Sequence, residues 1–169
     1  MNPTQYHHLA ARTRPALSPR DLLTMAALGI GGESAEVLAT ITSDPANTRA
    51  KRIKELGDLC WYVALMADIL DMEPTALWLP TYDPVVVIWY GAAIRVAIDA
   101  GVVVEAVKKN LYHDRPVAPI RDALPRLTST IHWAAVSLDA TLPEVWAVNV
   151  AKLRERHPDG FRTDYPPEI

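Results

Sequence analysis

Two pairs of acids constrain this chain more than anything else in it. Gly32-Glu33-Ser34-Ala35-Glu36 and Glu55-Leu56-Gly57-Asp58 each set two carboxylates three residues apart. On a helix that spacing puts both on one face. The first face continues through Leu22, Ala26, Gly29 and Thr40, and the second through Tyr62, Leu65 and Ile69. Both faces are mostly apolar apart from the acids, so all four carboxylates are expected to point inward. A single such pair is commonly a solvated face, but two pairs on two apolar faces are not. Buried like charges need compensation. A hard divalent cation held by carboxylate oxygens supplies it. Di-iron bundles use Glu-x-x-His pairs, and no histidine lies in either segment. Mg²⁺ is therefore the expected ion, with Mn²⁺ as the variant.

The rest of the composition narrows the class. The chain has 169 residues, half of them hydrophobic and 22% charged, which suits one globular domain over 1–169. Its net charge of −3 gives no basic footprint for nucleic acid. The apolar run near Val85 to Ala93 is too short to span a bilayer. The basic N-terminal stretch with His7, His8, Arg12 and Arg14 lacks the apolar segment of a signal peptide. A cytoplasmic protein is the expectation, with His7 and His8 on the surface. The single cysteine, Cys60, sits mid-helix among apolar residues and reads as an inert core thiol.

Helix signals run the length of the chain. Residues 4–14 form a short amphipathic segment ended by Pro15. Ser18-Pro19 with Asp21 is an N-cap, a first-turn proline and a first-turn acid, which predicts a helix to about Thr42. Gly29, Gly31 and Gly32 beside the acids predict either a close backbone approach or a kink. A turn at Ser43-Asp44-Pro45 leads to a helix from about Asn47 to Asp71, then a short one over 74–79. Leu79 to Pro84 is a proline-marked linker. Beyond it, helices are predicted over Val85–Asn110, with Asp83-Pro84 as the cap, then 118–140 and 143–157. The valine-rich runs at 85–88 and 102–104 are read as buried helix because the segments around them are too long for strands. The sum is an all-α bundle of four long helices plus short ones.

The halves resemble each other. With Glu36 set on Glu105, Gly32 falls on Gly101. The Trp61 helix then matches the Trp133 helix, and Leu142 to Trp146 mirrors Met72 to Trp78. A pseudo-repeat of 19–79 and 84–161 follows, made of two related helical hairpins. The second copy has Val102, Leu127 and Thr130 where the first has Glu33, Glu55 and Asp58. One intact site per chain is expected.

Glu33-x-x-Glu36, then Glu55-Leu56-Gly57-Asp58 with Trp61-Tyr62, resembles the MazG-like all-α nucleoside triphosphate pyrophosphohydrolases. The ending Asn149-x-x-Lys152-Leu153-x-x-Arg156-His157-Pro158-x-Gly160-Phe161 is similar to that family's usual ending. The resemblance implies an Mg²⁺-dependent hydrolase that cleaves an NTP or dNTP to the monophosphate and pyrophosphate. It implies Glu33, Glu36, Glu55 and Asp58 as metal-binding and catalytic residues, and a possible homodimer. Positive charge is then needed around the phosphates. Asn149, Lys152 and Arg156 are the first choice, without contact to the cation; Lys108 and Lys109, with His113 and Arg115, are the second. Tyr62, Trp61 and Trp89 are candidates to stack on a base. The alternative is a nucleotide-binding regulatory module, or a plain structural bundle, without catalysis.

Overall fold

The computed structural model describes residues 1–42, 48–81 and 88–160. Among them the chain is all helix, with no strand. The elements are α1 (Pro3–Ala11), α2 (Pro19–Ala39), α3 (Thr48–Ile69), α4 (Pro74–Leu77), α5 (Trp89–His113), α6 (Ala118–Val136) and α7 (Leu142–Arg156). A 3₁₀ turn, Thr40–Thr42, extends α2.

The other helices gather around α3. Leu56, Leu59, Cys60, Val63, Ala64, Met66 and Ala67 on it are all fully buried. A helix that is apolar on every side must be covered on every side. Here α2, α6, α7 and α1 do so. α2 also lies along α5, and α5 along α6, so the four long helices close into a bundle.

The ends of the elements follow local chemistry. Ser18 caps α2 by accepting from the Asp21 amide. Asn2 with Gln5, and Thr141 with Glu144, form capping boxes on α1 and α7. Asp71, Asp114 and Asp139 hold the left-handed conformation just beyond α3, α5 and α6, with φ near 50°, where a short polar side chain is tolerated. The exits of α3 and α6 are alike. The Met72 amide reaches back to the Ala67 carbonyl, and the Ala140 amide to that of Ala135, each at 3.0 Å. The matched tryptophans of the two halves, Trp78 and Trp146, then meet edge-to-face at 5.3 Å.

Three expectations change. α5 begins at Trp89, with Ile88 extended before it and no side-chain cap, so Asp83-Pro84 is not its cap; residues 85–87, like the expected turn at Ser43-Asp44-Pro45, lie outside the described residues. α6 ends at Val136, where the Asp139 turn takes over. His7 is buried, not on the surface. Trp78 Nε1 donates to His7 Nε2 at 2.9 Å, and His7 Nδ1 donates to Asp68 Oδ1 at 2.7 Å. These bonds pin α1 to α3 and α4. α2 with its 3₁₀ turn is also long and apolar enough, by length and composition, to cross a membrane; in this structure it packs on α3 and α5.

The glycines of the acidic segments differ in purpose. A Cβ on Gly57 would lie 2.9 Å from Asn149 Cβ and 3.2 Å from the Val145 carbonyl oxygen, so the bare backbone lets α7 come close. A Cβ on Gly32 would meet nothing within 4 Å. Gly57→Ala should therefore cost about 1–3 kcal/mol by overpacking, more than the helix-propensity gain of about 1 kcal/mol. Gly32→Ala should stabilise by about 0.5–1 kcal/mol. Urea denaturation of the two variants beside wild type checks both signs.

Candidate active site

The acids come from two neighbouring helices. α2 supplies Glu33, and α3 supplies Glu55 and Asp58. Oxygens of these three carboxylates all lie within 4.8 Å of one another. Glu55 and Asp58 are buried and Glu33 is half-buried. Glu36 is not with them: its side chain is exposed. The core-facing positions of α2 are Ile30, Ser34 and Val37. Each step of three residues turns a helix face by about 60°. Glu33 thus sits at the edge of the core face, and Glu36 a further step toward solvent. The expectation of four inward carboxylates holds for three.

These charges are not left bare. Lys54 Nζ is 3.2 Å from Glu55 Oε1 and 3.9 Å from Asp58 Oδ2. From α7, Asn149 Nδ2 donates to Asp58 Oδ1 at 3.1 Å, and Lys152 Nζ to Asp58 Oδ2. Tyr6 of α1 completes the chain by donating its hydroxyl to Asn149 Oδ1 at 3.1 Å. The Tyr6 ring stacks on Trp146 at 5.1 Å, and burial holds its phenol well above the ordinary range, so it stays a donor.

Glu33 has the loosest hold on its charge. Burial, then the Asp58 charge and that of Glu36, push its carboxyl up to about 7, against the pull of Lys152. It therefore holds its proton to higher pH than an ordinary carboxyl.

A cleft of about 470 Å³ opens from this cluster. Glu33 and Asp58 stand at its acidic end. Lys152, Arg156 and His157 line it from the C-terminal end of α7 and the residue beyond. Trp61, Tyr62 and Met25 give it an apolar wall, and the segment from Thr13 to Leu17 closes another side. Tyr62 lies against Gly29: a Cβ there would fall 2.2 Å from its ring. This close approach is what Gly29 signalled; Gly31 and Gly32 have no neighbour so near. Trp61 Nε1 donates to the Ala10 carbonyl at 3.2 Å and to Thr13 Oγ1 at 2.9 Å. Its indole is thereby fixed between α3 and the α1–α2 connection.

The remaining sequence candidates fall elsewhere. Lys108 and Lys109 pair with Glu105 on α5 at 2.5 and 3.5 Å and do not line the acidic cleft. His113 and Arg115 are exposed beyond them. Trp89 is buried beneath the Arg52 guanidinium at 4.9 Å, so it has no face for a base. Asn149 is buried and engaged on both sides, and Lys152 rests on a metal-ligand candidate, not on open solvent. Sequence reading missed Tyr6 and Lys54. Tyr6 and Ala10 share the buried face of α1, a four-residue spacing that marks a packed helix side. Lys54 is adjacent to Glu55 in sequence, but neighbours on a helix point apart, so the contact was not expected.

In the matching place of the second half, the described residues form no such acid cluster. Leu127 is fully buried, and Thr130 donates to Asp99 Oδ2 at 2.7 Å. Asp99 is held by Arg95 at 2.9 Å and Arg126 at 3.0 Å. No known protein family, characterised protein or solved structure matches the chain.

The Glu33 site makes stability depend on pH. A carboxyl held above its unfolded value favours the folded state below the unfolded pKa of 4.5 and loses that contribution as pH rises through about 7. Glu33→Gln removes the loss. Its melting temperature relative to wild type, without divalent cations, should rise between pH 5 and pH 8. A difference that stays flat or falls over that window would refute the assignment.

Proposed function

We propose that the protein is a divalent-cation-dependent hydrolase that splits a nucleoside triphosphate into the monophosphate and pyrophosphate. One observation carries the reading: three carboxylates converge within 4.8 Å, and two of them, Glu33 and Asp58, line a cleft that Lys152 and Arg156 also line. The pairing suits a ligand that brings a hard cation and an anionic chain together. The likeness of the two acidic pairs and of the C-terminal run to the MazG-like enzymes supports the same reaction.

The donor set fits the ion. Mg²⁺ takes oxygen ligands at about 2.1 Å, which puts neighbouring oxygens about 3–4 Å apart. Glu33, Glu55 and Asp58 would hold it, and Glu36 would join by rotating its exposed side chain inward. When bound, such an ion neutralises phosphate charge and polarises the phosphorus under attack. The chain's own groups do the rest. Lys152 and Arg156 bind the negative oxygens, the arginine bidentately. Asn149, anchored by Tyr6, keeps the Asp58 carboxylate in one orientation. Trp61, Tyr62 and Met25 take the base or sugar against an apolar wall and exclude water. Glu33, at the lip of the cleft, orients the water that attacks in line as pyrophosphate leaves. The second reading, nucleotide binding without cleavage, draws on Lys54 and Lys152, which already neutralise the acids.

The test is a panel of canonical and modified nucleoside triphosphates with Mg²⁺, scored for pyrophosphate and monophosphate. At least one should be cleaved. Asp58→Asn should lower the rate more than about 100-fold, since each 1.4 kcal/mol of lost stabilisation is tenfold. Tight binding with no product from any substrate would favour the binding module. Calorimetry with a non-hydrolysable triphosphate should give one nucleotide per chain, because Asp99 in the second half is already neutralised by two arginines. Two equivalent sites would contradict this.

A further inference from the structure

The residue that the proposed function leaves in two places is Lys152. It lines the cleft as a phosphate ligand, yet its ammonium lies on Asp58. The two oxygens of Asp58 are not equivalent. Oδ1 is held by Asn149, which is itself held by Tyr6. Oδ2 is left to the two lysines. Lys54 is half-exposed, stands off at 3.9 Å and has Glu55 as its nearer partner, whereas Lys152 is mostly covered and in direct contact. Lys152 is therefore the principal counter-charge of Asp58 in the cation-free protein.

An ammonium and a divalent ion do not share one carboxylate oxygen in a partly buried site. Both need its lone pairs, and they repel each other strongly where water does not screen them. The lysine stem is a flexible chain of four carbons, so the ammonium has somewhere to go. The place open to it is the cleft, where Arg156 stands one turn further along α7.

We propose that Lys152 is a built-in counter-cation: a divalent ion entering the site displaces it from Asp58, and the freed ammonium swings into the cleft to take the anionic part of the substrate. This rests on the cation site of the proposed function and adds a coupling to it. The ion makes the anion site, and an anion that draws Lys152 away opens the ion site. By linkage the two ligands must favour each other equally. It also implies that the nucleotide-free protein binds the ion weakly for a site with so many acids.

The test uses the whole chain without nucleotide, and Mn²⁺ alone as the probe, followed by calorimetry and by the loss of the free-ion resonance signal. Lys152→Met keeps the length of the stem and removes the charge, and Lys152→Gln serves as a second variant should the first disturb packing. Arg156→Gln removes a nearby cation that touches no site carboxylate. Titrations are run in 0.5 M KCl, where the screening length falls to about 4 Å and action through space is suppressed. Both Lys152 variants should bind Mn²⁺ about tenfold or more tightly than wild type, and Arg156→Gln less than about twofold differently, which lies in the usual range for coupled sites. If wild type binds one Mn²⁺ and the Lys152 variants bind it no more tightly, the displacement is wrong and the cation site stands. Where neither wild type nor any variant binds Mn²⁺, the cation site itself is wrong and the coupling falls with it.

Discussion

A carboxylate inside a helical bundle is unstable unless something meets its charge, and in this protein that demand falls on Asp58. It sits on the most enclosed helix, between a glycine and fully buried apolar residues. The structure answers it with a separate helix. α7 arrives with an amide for one oxygen and an ammonium for the other. The approach works only because Gly57, just before Asp58, has no side chain to hold α7 away. The order of dependence then continues outward. Asn149 needs Tyr6 to fix its amide, Tyr6 needs Trp146 to stack on, and the helix carrying Tyr6 is tied down by His7 to Asp68 and Trp78. A buried chain of this kind favours the fold only when every member is satisfied. Loss of one partner leaves an uncompensated group, which costs more than the bond itself contributed.

Much of this could be read from the residues. The cap at Ser18-Pro19 and the long helix of the second acidic pair are local signals, and local signals decide local structure. The two acidic pairs also pointed to one cluster, because helical spacing fixes which residues share a side. Spacing does not say how far round the helix the core reaches. Glu33 lies at that boundary and Glu36 past it, and only the packing of α2 on α3 and α5 draws the line. His7 and Lys152 failed for a related reason. Each is a polar residue whose partner lies more than sixty positions away in sequence, and no periodicity carries that information.

The bundle meets its two buried aspartates, Asp58 and Asp99, with different counter-charges. Both hairpins end in the same left-handed aspartate turn, and their tryptophans meet over Tyr6. In the second half the buried acid is Asp99, clamped through the Nε atoms of two arginines and a threonine hydroxyl. Arginine is always charged, so Asp99 keeps its counter-charges, although its Oδ1 has only the ionic contact with Arg126 and no hydrogen bond. In the first half the counter-charges are lysines, point charges on flexible stems. Three acids there face two lysines, and one of the acids, Glu33, has neither lysine within bonding distance.

That contrast matches how each acid meets its surroundings: Asp58 lines the cleft, whereas Asp99 is fully buried and a second cleft of about 760 Å³ on α5 is lined by Val102, Glu105 and Lys109 instead. A carboxylate cluster neutralised by arginines is a finished core element, with nothing gained by admitting solvent. A cluster neutralised by lysines is stable enough to fold, and its counter-charges sit on flexible stems that are free to move. The same balance explains the position of α7. Were it packed as tightly along its whole length as it is at Gly57 and Asn149, Lys152 and Arg156 would be buried and the cleft closed. Instead the helix is anchored at Trp146 and Asn149 and exposed at Arg156. Its fixed end orients the acid, and its open end leaves Lys152 and Arg156 on the cleft.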